Sequence, residues 1–147
     1  MFKRFAAVVL VVYLAVLCRL TLFMFLQPVA RPNFIPLRTI RFDLARGGEP
    51  FVVNILGNLG VFLPMGFLVP ILWPRRSGSM LTRVAAASFG LSLLIEVLQY
   101  LSGRRIADVD DLLLNTLGGM LGYGLWLSCL GVARIMGLRM PSREDWS

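Results

Sequence analysis

Residues 96–122 read EVLQYLSGRRIADVDDLLLNTLGGMLG and join two long, mostly apolar segments through a short charged turn. Two such segments closed by a turn predict a helical hairpin in a bilayer, since each arm approaches the ~20 apolar residues that a spanning helix needs. Into that junction the sequence places Glu96, Gln99, Arg104, Arg105, Asp108, Asp110, Asp111 and Asn115. Ionisable groups held against membrane-length helices are costly, from about 2.5 kcal/mol for an acid at the bilayer centre, so they point to function by default.

Working outward, the rest of the chain has the same character. It is 57% hydrophobic with no His, and its mean hydropathy of +0.75 exceeds that of ordinary soluble domains. Four stretches qualify as spans: about 5–27, 51–73, 81–102 and 112–136. Their apolar runs are continuous rather than alternating, which selects helices over a membrane barrel. The expected fold is all-α: one polytopic domain over 1–147, a four-helix transmembrane bundle. Segment 28–50 holds Pro28, Pro32, Pro36, Gly47 and Gly48. It is too broken to span and too apolar at 34–37 for a free linker, so an interfacial loop or re-entrant segment is expected. Residues 74–80, PRRSGSM, form a polar turn.

The formal charge of +7 is spread over short loops and termini, as cationic flanks at a membrane surface are. Nucleic-acid binding is excluded, because no segment offers a basic, solvated face with stacking aromatics. Cys18 and Cys129 both fall in apolar runs and are expected to be buried thiols without a disulfide. A signal peptide over 1–18 with Cys18 lipidated is the alternative for the N-terminus. Against it, Leu17 is large where a small residue should precede cleavage, and the apolar run resumes past Arg19. No cofactor is expected.

Cationic residues near the spans set orientation. Lys3, Arg4, Arg75, Arg76, Arg83, Arg134, Arg139 and Arg143 fall on one side, against Arg31, Arg38, Arg41, Arg46, Arg104 and Arg105 on the other. The bias puts both termini inside. At 1.5 Å per helical residue, Arg19, Asn54, Asn58, Glu96 and Gln99 all lie within roughly 12 Å of the outer end of their spans, and Asn115 lies near the start of the last. Polar residues scattered at random over four spans would not gather in one leaflet.

Spacing adds to this. Asn54 and Asn58 are four apart, Glu96 and Gln99 three apart, and Asp108, Asp111 and Asn115 follow at three and four, so each set shares a helical face. The plainer alternative is interhelical hydrogen bonding, worth on average about 0.6 kcal/mol per contact in membranes. Gly57, Gly60, Gly66, Gly118, Gly119 and Gly122 are expected to allow close helix approach. Pro64 and Pro70 are expected to bend or interrupt the second span.

These motifs resemble the VanZ-like family of small bacterial membrane proteins. Asn33-Phe-Ile-Pro36 is similar to the family's loop signature, and Asn58-x3-Phe62-x-Pro64-x-Gly66 to its second-span pattern. Glu96-x2-Gln99 matches the third-span pair, and Arg105-x2-Asp108-x2-Asp111-x3-Asn115-x2-Gly118 the final block. The resemblance implies a multi-pass protein of the bacterial cytoplasmic membrane, tied to reduced teicoplanin (glycopeptide antibiotic) susceptibility.

Three kinds of function fit such a site. In a binding protein of the cell envelope, Asn54, Asn58, Glu96, Gln99, Arg104, Arg105, Asp108, Asp111 and Asn115 would engage an amphipathic ligand. That ligand would be a membrane lipid, a lipid-linked envelope precursor or a lipoglycopeptide, with Arg104 and Arg105 on its phosphate or carboxylate. In an enzyme acting on an envelope lipid, Glu96, Asp108 and Asp111 are the catalytic candidates. Glu96 would be the base, and Asp108, Asp110 and Asp111 would hold a divalent cation; the alternative for that trio is an Arg–Asp ion-pair network fixing the loop. In a small transporter, Glu96 would couple to protons, and four spans would require a homo-oligomer.

Overall fold

The computed structural model describes residues 2–21, 32–73, 79–102 and 107–138, and among these described residues the chain forms five helices. They are α1 (Phe2–Arg19), α2 (Arg38–Arg46), α3 (Gly48–Leu72), α4 (Met80–Ser102) and α5 (Val109–Ile135). No strand occurs among the described residues; a single parallel bridge joins Asn33 to Asp108. At 1.5 Å per residue α3, α4 and α5 measure about 38, 35 and 40 Å, more than the roughly 30 Å hydrocarbon core.

These three helices are long and apolar enough to cross a membrane, and they correspond to the expected spans 51–73, 81–102 and 112–136. The expected fourth span, 5–27, is matched only by α1. Its 18 residues include Lys3, Arg4 and Arg19, and residues 22–31 lie outside the described residues. Three membrane-length helices, not four, are therefore established among the described residues. α3 and α5 each begin three residues before the apolar run suggests, because polar residues start the helix: Asp108 is the N-cap of α5.

Exposure follows the pattern of a bundle in lipid. α5 presents Leu113, Leu117, Leu121 and Leu125 outward at four-residue spacing, 41–51% exposed. Ser88, Ser92, Glu96 and Gln99 of α4 and Asn115 of α5 are buried. Leucine outside and polar groups inside reverse the arrangement of a soluble bundle. The same logic corrects the cysteines. Cys18 and Cys129 are free and exposed rather than buried, since an apolar run in lipid has an outward face as well as an inward one.

α3 and α5 start at the same end and run backbone against backbone. A Cβ added at Gly118 would overlap the carbonyl of Leu59, one at Gly122 that of Leu63, and one at Gly66 that of Gly119. Gly119 in turn faces Ser88 on α4. Gly57 and Gly60 do not share this role. Gly60 has nothing within 4 Å, and Gly57 meets only its own helix's Val52 carbonyl at 3.7 Å. Pro64 and Pro70 do not interrupt the helix, which continues through both from Gly57 to Leu72. Each proline removes one ladder donor, and flanking turns held against α5 carry the helix past the gap.

α1 runs antiparallel to α3. Leu17 packs with Phe62 and Ile95, Ala6 packs with Leu68 and Ile71, and the Tyr13 hydroxyl donates to the Val61 carbonyl at 2.9 Å.

Candidate functional site

The candidate residues gather where α3 and α5 begin and α4 ends, and the gathering starts with a cap. Asp108 has extended backbone (φ −131°, ψ 118°), and its carboxylate accepts the Asp110 N–H at 2.8 Å. An acid there satisfies a donor that the helix leaves open and meets the positive end of the helix dipole. Its oxygens also accept from the Asn33 amide at 2.8 Å and the Thr39 hydroxyl at 2.6 Å. Main-chain bonds clamp the same pair of strands of chain: Asn33 N–H donates to the Ala107 carbonyl and Val109 N–H to the Asn33 carbonyl, both at 3.0 Å.

Asp110 reaches in the opposite direction. It is fully buried, and its carboxylate accepts the N–H groups of Leu37, Thr39 (2.7 Å) and Ile40 (3.1 Å). These are the open donors at the start of α2, which has no side-chain cap of its own. The cap is supplied in trans from α5. Leu37 sits in the left-handed region at φ 65°, an unfavourable conformation for a side chain with a Cβ. The Pro36–Leu37 turn aims its N–H at Asp110, and that bond offsets the strain.

The other acids lie deeper. Asp111 accepts the Asn58 amide at 2.6 Å, linking α5 to α3. Glu96 is buried, and its Oε2 accepts the Asp108 N–H at 3.1 Å. Both have further interactions beyond these. Asn115 donates to the Ser92 hydroxyl at 2.8 Å, and Gln99 donates to the Thr21 carbonyl at 2.7 Å. Gln99 Oε1, Asn115 Oδ1 and Ser88 Oγ are buried without a hydrogen-bond partner among the described residues.

The structure thus brings Asn58, Glu96, Asp108, Asp111 and Asn115 to one end of the α3–α4–α5 junction, with Gln99 one turn outward, bonded to Thr21 just past the end of α1. Asn54 departs from its neighbour. It lies in the π-helical segment Phe51–Leu56 and donates to buried Asp43 of α2 at 2.9 Å, away from Asp111. Arg19 is exposed rather than turned into the cluster. Arg104 and Arg105 lie outside the described residues.

Asp108, Asp110 and Asp111, considered together as cation ligands, point at different partners on different elements. Among the described residues no group of three acidic, Cys or His side chains converges as a metal holder. Asp108 and Asp110 tie segment 32–46 to the start of α5 through hydrogen bonds, and the arginines of the alternative Arg–Asp network, Arg104 and Arg105, lie outside the described residues.

Sequence reasoning missed Thr39, Asp43, Ser88 and Ser92, and treated Asn33 only as part of a motif. The Ser88-x3-Ser92-x3-Glu96-x2-Gln99 spacing was the available signal for the serines, one polar face running up a span. Thr39 and Asp43 carry no such signal.

A half-open groove of about 390 Å³ lies at the opposite end of the bundle, between α1, α3 and α5, lined by apolar residues including Phe5, Ala6, Val9, Phe67 and Ile71. Polar cluster and apolar groove are separate features.

Neither the curated proteins nor the solved structures give a match to this chain. The family model described as VanZ/LLP1 matches residues 10–132, from the middle of α1 to the last turns of α5, with both halves of the Asn33–Asp108 clamp inside it. The chain belongs to the VanZ/LLP1 family.

Proposed function

We propose that this VanZ-family protein is a multi-pass protein of the bacterial cytoplasmic membrane, with α1 completing a four-span bundle and both termini cytoplasmic. In this proposal the polar cluster faces the outer leaflet and engages an amphipathic cell-envelope ligand, lowering susceptibility to teicoplanin-type lipoglycopeptides. The observation that carries it is the burial of two carboxylates, Glu96 and Asp111, at 5% and 7% exposure among helices otherwise coated with leucine. Amide glue alone would not call for acids there, because a buried carboxylate is far costlier than an amide to hold in an apolar bundle. Gln99 Oε1 and Asn115 Oδ1 leave acceptor capacity beside them. Arg104 and Arg105, which fall between α4 and α5 in the sequence, would hold the ligand's phosphate or carboxylate.

Glu96→Gln and Asp111→Asn test this in a host that expresses the protein. Both keep side-chain volume and hydrogen bonding, so insertion and thermal stability should stay within about 1 kcal/mol of the parent. Teicoplanin protection should fall to that of cells lacking the protein. Full protection by both variants would remove the two charges from the function.

Orientation is tested separately, with Cys18 and Cys129 replaced by Ala. An impermeant thiol reagent added outside should modify Ser102→Cys and spare Ser77→Cys. The reverse pattern would place both termini outside.

A further inference from the structure

We propose that α2 and the turn before it form a cationic platform at the membrane interface, which takes the headgroups of anionic phospholipids from the surrounding bilayer. This holds whichever ligand the buried cluster engages. It begins with where α2 is held. Only Gly47 separates α2 from α3, and Gly47 and Gly48, at φ +60° and +62°, permit the sharp reversal between them. Asp43 of α2 then bonds Asn54, which lies about 9 Å along α3 from Gly48. So α2 folds back beside the first turns of a helix that exceeds the hydrocarbon core by about 8 Å. That excess is headgroup depth.

The inner face of α2 is fully committed. Thr39 and Ile40 bond α5 through Asp108 and Asp110, and Asp43 bonds α3. This fixes which side chains face away. Phe42 and Leu44 are 60% and 56% exposed, and Phe34 and Ile35 of the preceding turn are 73% and 59% exposed. With Leu37 at 44%, five large apolar side chains in eleven residues stand exposed, and the place of α2 beside the first turns of α3 sets them at the level of a bilayer surface. They are placed to enter it, as the apolar residues of interfacial helices do.

Charge selects the lipid. Arg38, Arg41 and Arg46 are exposed between these apolar residues, and the Arg46 guanidinium lies 5.8 Å from the centre of the Phe42 ring. Of the acids at this end, Asp43, Asp110, Asp111 and Glu96 are buried, and half-buried Asp108 has both oxygens taken by Asn33, Thr39 and Asp110, leaving Glu49 as the exposed acid of segment 32–50. Guanidinium groups match phosphate oxygens through paired N–H bonds, and cationic residues at headgroup depth attract anionic lipids. Arg38, Arg41 and Phe42 share one side of α2 by their i, i+3, i+4 spacing, a pairing suited to phosphodiester headgroups above and acyl chains below.

The test uses the full-length protein with Cys18 and Cys129 replaced by Ala, reconstituted in bilayers of phosphatidylcholine with and without phosphatidylglycerol. A spin label at Phe42→Cys should be reached by oxygen more readily than by a water-soluble nickel chelate, with its depth just below the phosphates. A label open to the chelate as in free solution overturns the proposal, and so does a label shielded from both reagents, which would mean that a second copy covers this face. From mixed bilayers the parent should retain phosphatidylglycerol over phosphatidylcholine in the annulus counted by mass spectrometry. Arg38→Gln/Arg41→Gln should bring that preference to parity while Arg134→Gln, at the other end, keeps it. Raising salt on the parent should act like the double variant, which separates lost charge from misfolding. A preference unchanged by both the double variant and salt overturns recognition by charge.

Discussion

Asp110→Ala is expected to release α2 from the bundle while α3, α4 and α5 stay inserted. The carboxylate is fully buried and takes three backbone N–H groups, those of Leu37, Thr39 and Ile40. No side chain within segment 32–46 caps that helix end in its place. Hydrogen bonds to an ionised acceptor contribute about 1.5–3 kcal/mol each, and water reaching the vacated donors would recover part of this. A net loss of about 3 kcal/mol is therefore expected locally, or roughly two orders of magnitude in hydrogen-exchange protection across residues 38–43. Asp110→Asn should fall between the two, because one amide oxygen can still meet Thr39 and Ile40 while its NH2 confronts the Leu37 N–H. Amide exchange followed by mass spectrometry in detergent or nanodiscs reads the effect directly. Unchanged protection of α2 in Asp110→Ala would mean that the trans cap does not hold the helix.

The separate fates of Asp110 and the apolar spans explain what was legible in the sequence. α3, α4 and α5 announce themselves because a spanning helix is a local property: an uninterrupted apolar run long enough for the bilayer. The polar end was legible for the same reason, since depth along a helix follows from counting residues. What a chain does across more than seventy residues leaves no local trace. Asp110 reads as one acid in a polar turn until it meets Leu37, 73 positions away. Asp43 drew no reading at all, and its bond to Asn54, only eleven positions away, depends on the reversal at Gly47 and Gly48 that folds α2 back on α3. Asn54 and Asn58 share a face by spacing, yet one serves α2 and the other α5, because neighbouring positions on one helix can sit on either side of a seam between two others. Burial of the cysteines failed as an expectation because lipid removes the rule that apolar means inside.

The largest effect on the fold itself is expected at the seam between α3 and α5. A side chain at Gly66 would drive into the Gly119 carbonyl and the Tyr123 N–H region. Both obstacles are backbone, so no rotamer change can yield the space. Overpacking a core of movable side chains costs about 1–3 kcal/mol. Here the two helices must separate, which also lifts Gly118 and Gly122 from the Leu59 and Leu63 carbonyls and strains the Asn58–Asp111 bond at the same seam. Gly66→Ala is expected to cost more than about 3 kcal/mol, and Gly66→Leu to prevent a folded bundle from being recovered. Gly60→Ala and Gly124→Ala are the matched controls. Both sites are helical and have nothing within 4 Å of the added methyl, so the gain in helix propensity, roughly 0.5–1 kcal/mol, should leave them as stable as the parent or slightly more so. Thermal unfolding of the three alanine variants in one detergent measures the contrast, and the recovery of folded protein reads Gly66→Leu. If Gly66→Ala melts alongside Gly60→Ala, the helices are not in backbone contact, and the polar cluster built on their register would have to be redrawn.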